Sequence, residues 1–281
     1  MKTISSVKEM QAYALRQQMK GRSIGFVPTM GALHEGHLSL VRRARRENDE
    51  VIVSVFVNPT QFGPKEDFKK YPRALNADRA LLNKESIDVL FTPSIGEMYP
   101  QGYATHVSVC ALTQTLCGPL RPGHFKGVAT IVAKLLQIAQ PSRAYFGQKD
   151  YQQLQVIRRL ASDLNMPVKV IGCETVREHD GLAASSRNRY LSAKERDEAV
   201  LLYQMLYLGR ELIEQKIMLE PKRLEKRLRV VLSTVPKCKV DYISAVDPET
   251  LQPMKHIKRP VLLAAAIWIG KTRLIDNIFI P

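Results

Sequence analysis

The run Val51-Ile52-Val53-Ser54-Val55-Phe56-Val57 limits the possible fold more than any other stretch of this chain. It is nearly all β-branched and carries one polar residue, so it has no alternation of wet and dry faces. A strand of this kind is buried on both sides, as in a parallel sheet covered by helices above and below. It runs directly into the polar segment Asn58-Pro59-Thr60-Gln61-Phe62-Gly63. In an open α/β sheet, that carboxyl edge of the strands is where ligands bind.

The segments around it repeat the theme. Val7 to Met19 reads as a helix, with Val7, Met10, Ala14 and Leu15 on one apolar face and Gly21 as its stop. Further helices are expected at Gly36–Glu47, Ala74–Lys84, Val128–Ile138 and, after the polar turn Gly147–Gln153, over a segment carrying Leu154, Ile157, Leu160 and Ala161 inward to about Leu164. Short strands are expected at Ile24–Val27, Ile87–Phe91, Ala144–Phe146 and Pro167–Ile171. Strands alternating with helices predict an α/β fold, a parallel sheet with helices on both faces. From Gly96 to Gly123 the pattern weakens to loop with one strand at Thr105–Val109, and Asp78 is expected on the solvated side of its helix. After Val176 the character changes. Ser185 to Tyr190 is a polar, basic loop, and Ser192 with Glu195 forms a capping box that opens a long helix to about Gln215. Pro221 suits the first position of another helix, and strands follow at Val240–Val246, Val261–Ile269 and Leu274–Ile280. The expected division is therefore 1–175 and a smaller α+β domain, 176–281. Gly270-Lys271-Thr272 is read as a hairpin turn, because a phosphate-binding P-loop needs glycine where Ala265 stands.

Composition narrows the function classes. With 45% hydrophobic and 25% charged residues in 281, the chain is of globular type, and the apolar run Val261–Ile269 is too short to cross a bilayer. No apolar signal core follows Met1, so a cytoplasmic location is expected, and no membrane partner. Cys110, Cys117, Cys173 and Cys238 form no C-x-x-C pair and read as reduced thiols. A net charge of +15 implies polyanionic partners: nucleic acid, an anionic membrane or phosphorylated small molecules. The basic clusters, Arg42–Arg46 and Lys222–Arg229, fall on expected helices, where solvated faces account for them. Charge alone does not select nucleic acid.

Two imidazoles, His34 and His37, stand three residues apart where the first of these strands passes into a helix, with Gly36 between them. That spacing puts both on one face of the first turn, at a helix N-terminus whose free N–H groups favour phosphate. A zinc motif would need a spacing of four, and no cysteine lies within the next seventy residues, so zinc is not favoured. His34, His37, Lys149, Ser185, Ser186 and Arg187 form the candidate anion set, and Asn58, Gln61 and Gln153 suit neutral polar recognition. Such donors suit a triphosphate whose charge moves to a leaving pyrophosphate, with chemistry by positioning and charge stabilisation. Two other readings stay open on these residues: a different adenylyl transferase, and a basic RNA-binding protein without catalysis.

The segments PTMGALHEGHLSLV, VSVFVNPTQFGPKEDFKKYPR, RPGHFKGV, FGQKDYQQL and DGLAASSRNRYLS together resemble the pantothenate synthetase (pantoate:beta-alanine ligase) family, within the HxGH nucleotidyl-transferase superfamily. The resemblance implies a Rossmann-like N-terminal domain with a smaller C-terminal lid, a homodimer, and no nucleic-acid partner. It implies ATP-dependent activation of pantoate to pantoyl adenylate, then attack by beta-alanine to give pantothenate and AMP, with Mg2+ accompanying ATP. By matched motif, Met30, Gly31, Ala32, Leu33, His34, Glu35, Gly36 and His37 line the ATP site, with His37 the proton donor. Gly147, Gln148, Lys149 and Asp150 hold ribose and phosphate, Val176 meets adenine, and Ala184, Ser185, Ser186 and Arg187 form a mobile phosphate loop. His34, Lys149 and Arg187 join His37 as the catalytic set. Gln61 and Gln153 bind pantoate, Gln61 also lying near beta-alanine. Gln148 stands where the family more often has Glu, and Ala184 where Met is common. Backbone contacts survive both changes.

Overall fold

Short β-branched strands and amphipathic helices build a six-stranded sheet in the computed structural model, which describes residues 1–64, 66–236 and 238–281. Its strands are β1 (Lys2–Ile4), β2 (Ile24–Thr29), β3 (Glu50–Val55), β4 (Val89–Phe91), β5 (Arg143–Gly147) and β6 (Lys169–Cys173). They lie in the order β1-β4-β3-β2-β5-β6, every pairing parallel. The helices are α1 (Val7–Met19), α2 (Glu35–Glu47), α3 (Leu75–Lys84), α4 (Ile95–Met98), α5 (His124–Ala139) and α6 (Tyr151–Asp163). Side chains alternate across the strands, so Val27, Val51, Val53 and Leu90 pack with Leu40, Val41 and Leu82 on the side of α2 and α3. Phe26, Ile52 and Phe91 face the other way and are also fully buried, as the unbroken apolar run required.

Strand order reverses at β2. From there the chain builds β3 and β4 to one side, and β5 and β6 to the other. The carboxyl ends of β2 and β5 thus flank the topological switch point of the sheet, the usual crevice for a ligand.

By their internal contacts the residues form two units. The first comprises Met1–Val109, Arg121–Gln148 and Gln153–Glu174; the second comprises Cys110–Leu120, Lys149–Gln152 and Thr175–Pro281. The second unit holds α7 (Ala193–Glu214), α8 (Pro221–Leu232) and an antiparallel sheet of β7 (Cys238–Val246), β8 (Val261–Ile269) and β9 (Thr272–Ile280), in the order β7-β8-β9. Leu202, Leu206, Leu224 and Leu228 of its helices pack with Ile243, Leu263 and Ile267 of the sheet. The capping box is present: the Ser192 hydroxyl accepts from Glu195 N–H and the Glu195 carboxylate accepts from Ser192 N–H. Gly270 and Lys271 turn β8 into β9.

The structure departs from expectation in several places. Thr105–Val109 is not a strand, because the Val107 N–H and carbonyl are bonded by the Thr130 hydroxyl of α5 at 2.9 and 3.3 Å rather than by a neighbouring strand. β1 and α4 had no strong pattern and were not foreseen. Asp78 is buried, at 2% exposure, instead of solvated. The basic run of α2 is largely ion-paired: Arg42 with Glu35 and Glu85, Arg43 with Glu47, and Arg45 with Asp88. Among the described residues no helix is long and apolar enough to cross a membrane.

Candidate active site

In the first unit the site begins where β2 ends. The Thr29 hydroxyl donates to the Ser54 carbonyl at 2.8 Å and accepts the Gly31 N–H at 3.2 Å, turning the chain out of the sheet. Gly31 (φ +80°) and Ala32 (φ +51°) are both left-handed, a conformation costly for alanine. The buried Asp78 carboxylate stabilises it. Its two oxygens accept Ala32 N–H at 3.0 Å and Leu33 N–H at 2.8 Å. A Cβ on Gly31 would stand 2.9 Å from that carboxylate, so glycine is required on space as well as on φ. Ala32 and Leu33 are buried with it, and the turn delivers His34 to the N-cap of α2.

His34 is the cap and not part of the first turn, as its extended backbone shows. Its carbonyl accepts His37 N–H at 2.8 Å, and the two imidazole rings lie 4.1 Å apart, centre to centre. Glu35 points away to Arg42, which leaves its backbone for any ligand at this terminus. The helix start, its dipole and two imidazoles thus converge on one point, which suits a polyphosphate.

Gln61 lies beside this segment in the same unit. Its amide Nε2 donates toward the Met30 sulfur at 3.0 Å, and its Oε1 accepts from Asn58 Nδ2 at 3.0 Å. Asn58 was expected to recognise substrate; in the structure its amide is turned to protein groups. Asn58 is 1% exposed, its other amide hydrogen goes to the Gly127 carbonyl, and its oxygen accepts from Thr60 and from the Tyr99 hydroxyl at 2.7 Å. Its hydrogen-bonding capacity is used inside the protein, where it orients Gln61. The Gln61 carbonyl is held in turn by His124 Nδ1 at 2.8 Å, while His124 Nε2 lies 3.0 Å from an Arg121 N–H. Arginine only donates, so Nε2 is the acceptor and Nδ1 carries the hydrogen. Glu66 completes the chain with two hydrogen bonds from Arg121. Burial pushes the Glu66 carboxyl up, but the hydrogen bonds and charge of Arg121, with smaller help from His124 and the Gly63 backbone, together hold the group below its ordinary value. Arg121, His124, Tyr99 and Glu66 were not among the assigned site residues. Only Arg121 and His124 carried a signal, as a cation and an imidazole ahead of the helix expected at Val128–Ile138.

β5 ends at Gly147, where an added Cβ would meet nothing within 4 Å, so this end of the switch point is open. Gln148 follows in the first unit, and Gln153 is half-buried in the first turn of α6. In the second unit, Lys149 and Asp150 lie in a short turn with the ammonium 3.9 Å from the Asp150 carboxylate. The Val176 carbonyl accepts Ala184 N–H at 2.9 Å, closing a hairpin from which Ser185, Ser186 and Arg187 emerge. The Ser185 hydroxyl caps Arg187 N–H at 3.3 Å. Among the described residues no group of three or more His, Cys, Asp or Glu side chains could hold a metal, and both oxygens of Asp78 are occupied by N–H groups.

Comparison with known proteins bears on the chemistry. Residues 2–279 match the family model described as Pantoate-beta-alanine ligase. A pantothenate synthetase of Thermotoga petrophila is 53% identical over 277 residues, covering 99% of each chain. One of Moorella thermoacetica is 51% identical, covering 99% of this chain and 98% of its own. The crystal structure of pantothenate synthetase from Thermus thermophilus is similar with a TM-score of 0.93, at 50% identity over 99% of each chain. That of pantoate-beta-alanine ligase from Francisella tularensis, complexed with beta-gamma ATP and beta-alanine, has a TM-score of 0.82 at 37% identity, covering 99% of this chain and 97% of that one.

Proposed function

This chain belongs to the pantoate-beta-alanine ligase family, and we propose that it condenses pantoate with beta-alanine through a pantoyl adenylate, with cleavage of ATP to AMP and pyrophosphate. In the first half-reaction a pantoate carboxylate oxygen attacks the α-phosphorus and pyrophosphate leaves. In the second the beta-alanine amine attacks the acyl carbon and AMP leaves. No covalent enzyme intermediate is required, so the residues act by holding the two reactants and by stabilising charge on the departing pyrophosphate.

The observation that carries this reading is the contact between Gln61 and Met30. It sets the amide assigned to pantoate against the segment assigned to ATP, within one unit. His34 and His37 stabilise the phosphates at the α2 terminus, and His37 supplies the proton. The backbone from Met30 to Gly36 supplies further N–H donors. Gly147, Gln148, Lys149 and Asp150 hold ribose and phosphate, Val176 meets adenine, and Ala184, Ser185, Ser186 and Arg187 cover the phosphates. Gln153 joins Gln61 on pantoate. Residues 1–175 form the ATP- and pantoate-binding domain and 176–281 the lid. Mg2+ accompanying ATP would supply charge neutralisation on the phosphates, a role that needs no dedicated protein cage. The chain works as a homodimer in the cytoplasm; sedimentation equilibrium is expected to return twice 31.8 kDa, and a monomer would refute the dimer.

The test is release of AMP and pyrophosphate with ATP, pantoate and beta-alanine, each omitted in turn. AMP release is expected to require all three, and pantoate alone to support exchange of pyrophosphate into ATP. A dinucleotide product, or salt-sensitive RNA binding without pantoate-dependent AMP, would overturn the reading. His37→Ala and Lys149→Ala are expected to lose about 100-fold or more in turnover, roughly 3 kcal/mol of barrier, with circular dichroism unchanged. Near-normal turnover in either would remove its assigned role.

A further inference from the structure

Asp276 is a carboxylate in an unusual row. On β9 it alternates with Leu274, Ile278 and Ile280, which belong to or pack on the hydrophobic core of the second unit, and its side chain is 2% exposed. A charge there needs a partner, and Arg177 supplies one through two hydrogen bonds of 2.6 and 3.0 Å. Burial pushes the Asp276 carboxyl up, while Arg177, the Asn277 N–H and the nearby Lys149 charge oppose that rise. A buried ion pair of this kind is a poor stabiliser compared with apolar packing, so its geometry is the feature to explain.

That geometry joins two segments. The Arg177 guanidinium also donates to the Gly181 and Asn277 carbonyls at 3.0 and 3.3 Å and lies 4.1 Å over the Tyr203 ring. Arg177 pairs with Ala183 across the hairpin that leads into Ala184–Arg187. On the other side, the Asn277 side chain donates from Nδ2 to the Lys149 carbonyl at 2.9 Å. One strand, β9, therefore grips the hairpin through Asp276 and the Lys149 backbone through Asn277. All these residues lie in the second unit.

We infer that Asp276 and Asn277 are positioning residues, which hold Lys149 and the Ser185–Arg187 loop at a fixed spacing so that both meet the same polyphosphate. This rests on the phosphate roles given above to Lys149 and to that loop. It extends the site to the C-terminal strand, which carries no residue assigned to a ligand.

The test compares ATP with adenosine, because a misplaced Lys149 weakens only the ligand that carries phosphates. Dissociation constants would be measured by calorimetry on the full chain, for the parent, Asn277→Ala, Lys149→Ala and the double variant. Asn277→Ala is expected to weaken ATP about tenfold and to leave adenosine within about twofold. In the Lys149→Ala background the same substitution is expected to change ATP by less than about twofold, since the side chain it positions is gone. Equal weakening of ATP and adenosine, additive losses in the double variant, or no change in ATP would overturn the inference. If Lys149→Ala itself leaves ATP binding unchanged, the phosphate role of Lys149 fails and the inference with it. Asn277→Asp, similar in size but lacking the donor, repeats the test should the alanine variant not fold.

Discussion

At the scale of single residues, buried polar groups shape this site more than the groups that would meet a ligand. Asp78 holds a left-handed alanine in place through two backbone N–H groups, and Asn58 does the same service for the Gln61 amide. Asp78→Asn keeps the size but can accept only one of the two N–H groups and turns a donor toward the other. It is expected to cost about 1–3 kcal/mol of stability, read as a lower urea midpoint, together with reduced turnover. An unchanged midpoint would show that the turn does not depend on the carboxylate. Residue types at the site were legible in the sequence, since histidines, glutamines and a lysine near strand ends announce themselves. Burial was not. Nothing in Leu75-Asn76-Ala77-Asp78 tells which of its polar side chains is inside, because that depends on a turn more than forty residues away.

Among the elements, α5 packs against the turn that carries Gln61. Gly127 on this helix passes so near the Pro59–Gln61 turn that a Cβ would lie 2.3 Å from the Thr60 carbonyl and 2.7 Å from Gln61 N. Gly127→Ala is therefore expected to raise KM for pantoate several-fold by displacing Gln61, with a smaller effect on KM for ATP. Steady-state kinetics against each substrate check this, and equal shifts would contradict it. A second element-level device ties the 176–184 hairpin to α7: Arg196 bonds Asp180 at 2.7 Å and Glu178 at 2.6 Å. The Arg196 hydrogen bond holds the Asp180 carboxyl below its ordinary value. A carboxyl lowered in the folded state stabilises it fully above the ordinary carboxylate range, and this is lost as pH falls through the lowered value. Acid titration is thus expected to loosen the hairpin below roughly pH 4, and Asp180→Asn to remove that part of the pH dependence. Hydrogen exchange at Leu182 and Ala184 against pH measures it; identical profiles in parent and variant would contradict the assignment.

For the whole molecule the outstanding property is its charge of +15. Part of the basic content is ion-paired: Arg42, Arg43 and Arg45 are bound to carboxylates, whereas Lys222, Arg223, Lys226 and Arg227 of α8 are exposed. An excess of this sign attracts anionic substrates over a distance set by ionic strength. Raising salt is expected to lower kcat/KM for ATP while kcat holds, and a salt-independent kcat/KM would remove charge as a factor in capture.

Most of the order of helices and strands, the parallel sheet, the capping box at Ser192 and the family itself were determined by the sequence alone, because they depend on local periodicity and on contiguous motifs. The tertiary structure decided what lies between those segments. It buried Asp78 and Asn58, linked Glu66, Arg121 and His124 to the Gln61 carbonyl, and brought Asn277 against Lys149 across 128 positions of chain. A hydrogen bond between residues so far apart leaves no local pattern. It exists only when the chain has closed around it, and there the low dielectric makes every unmatched polar group costly.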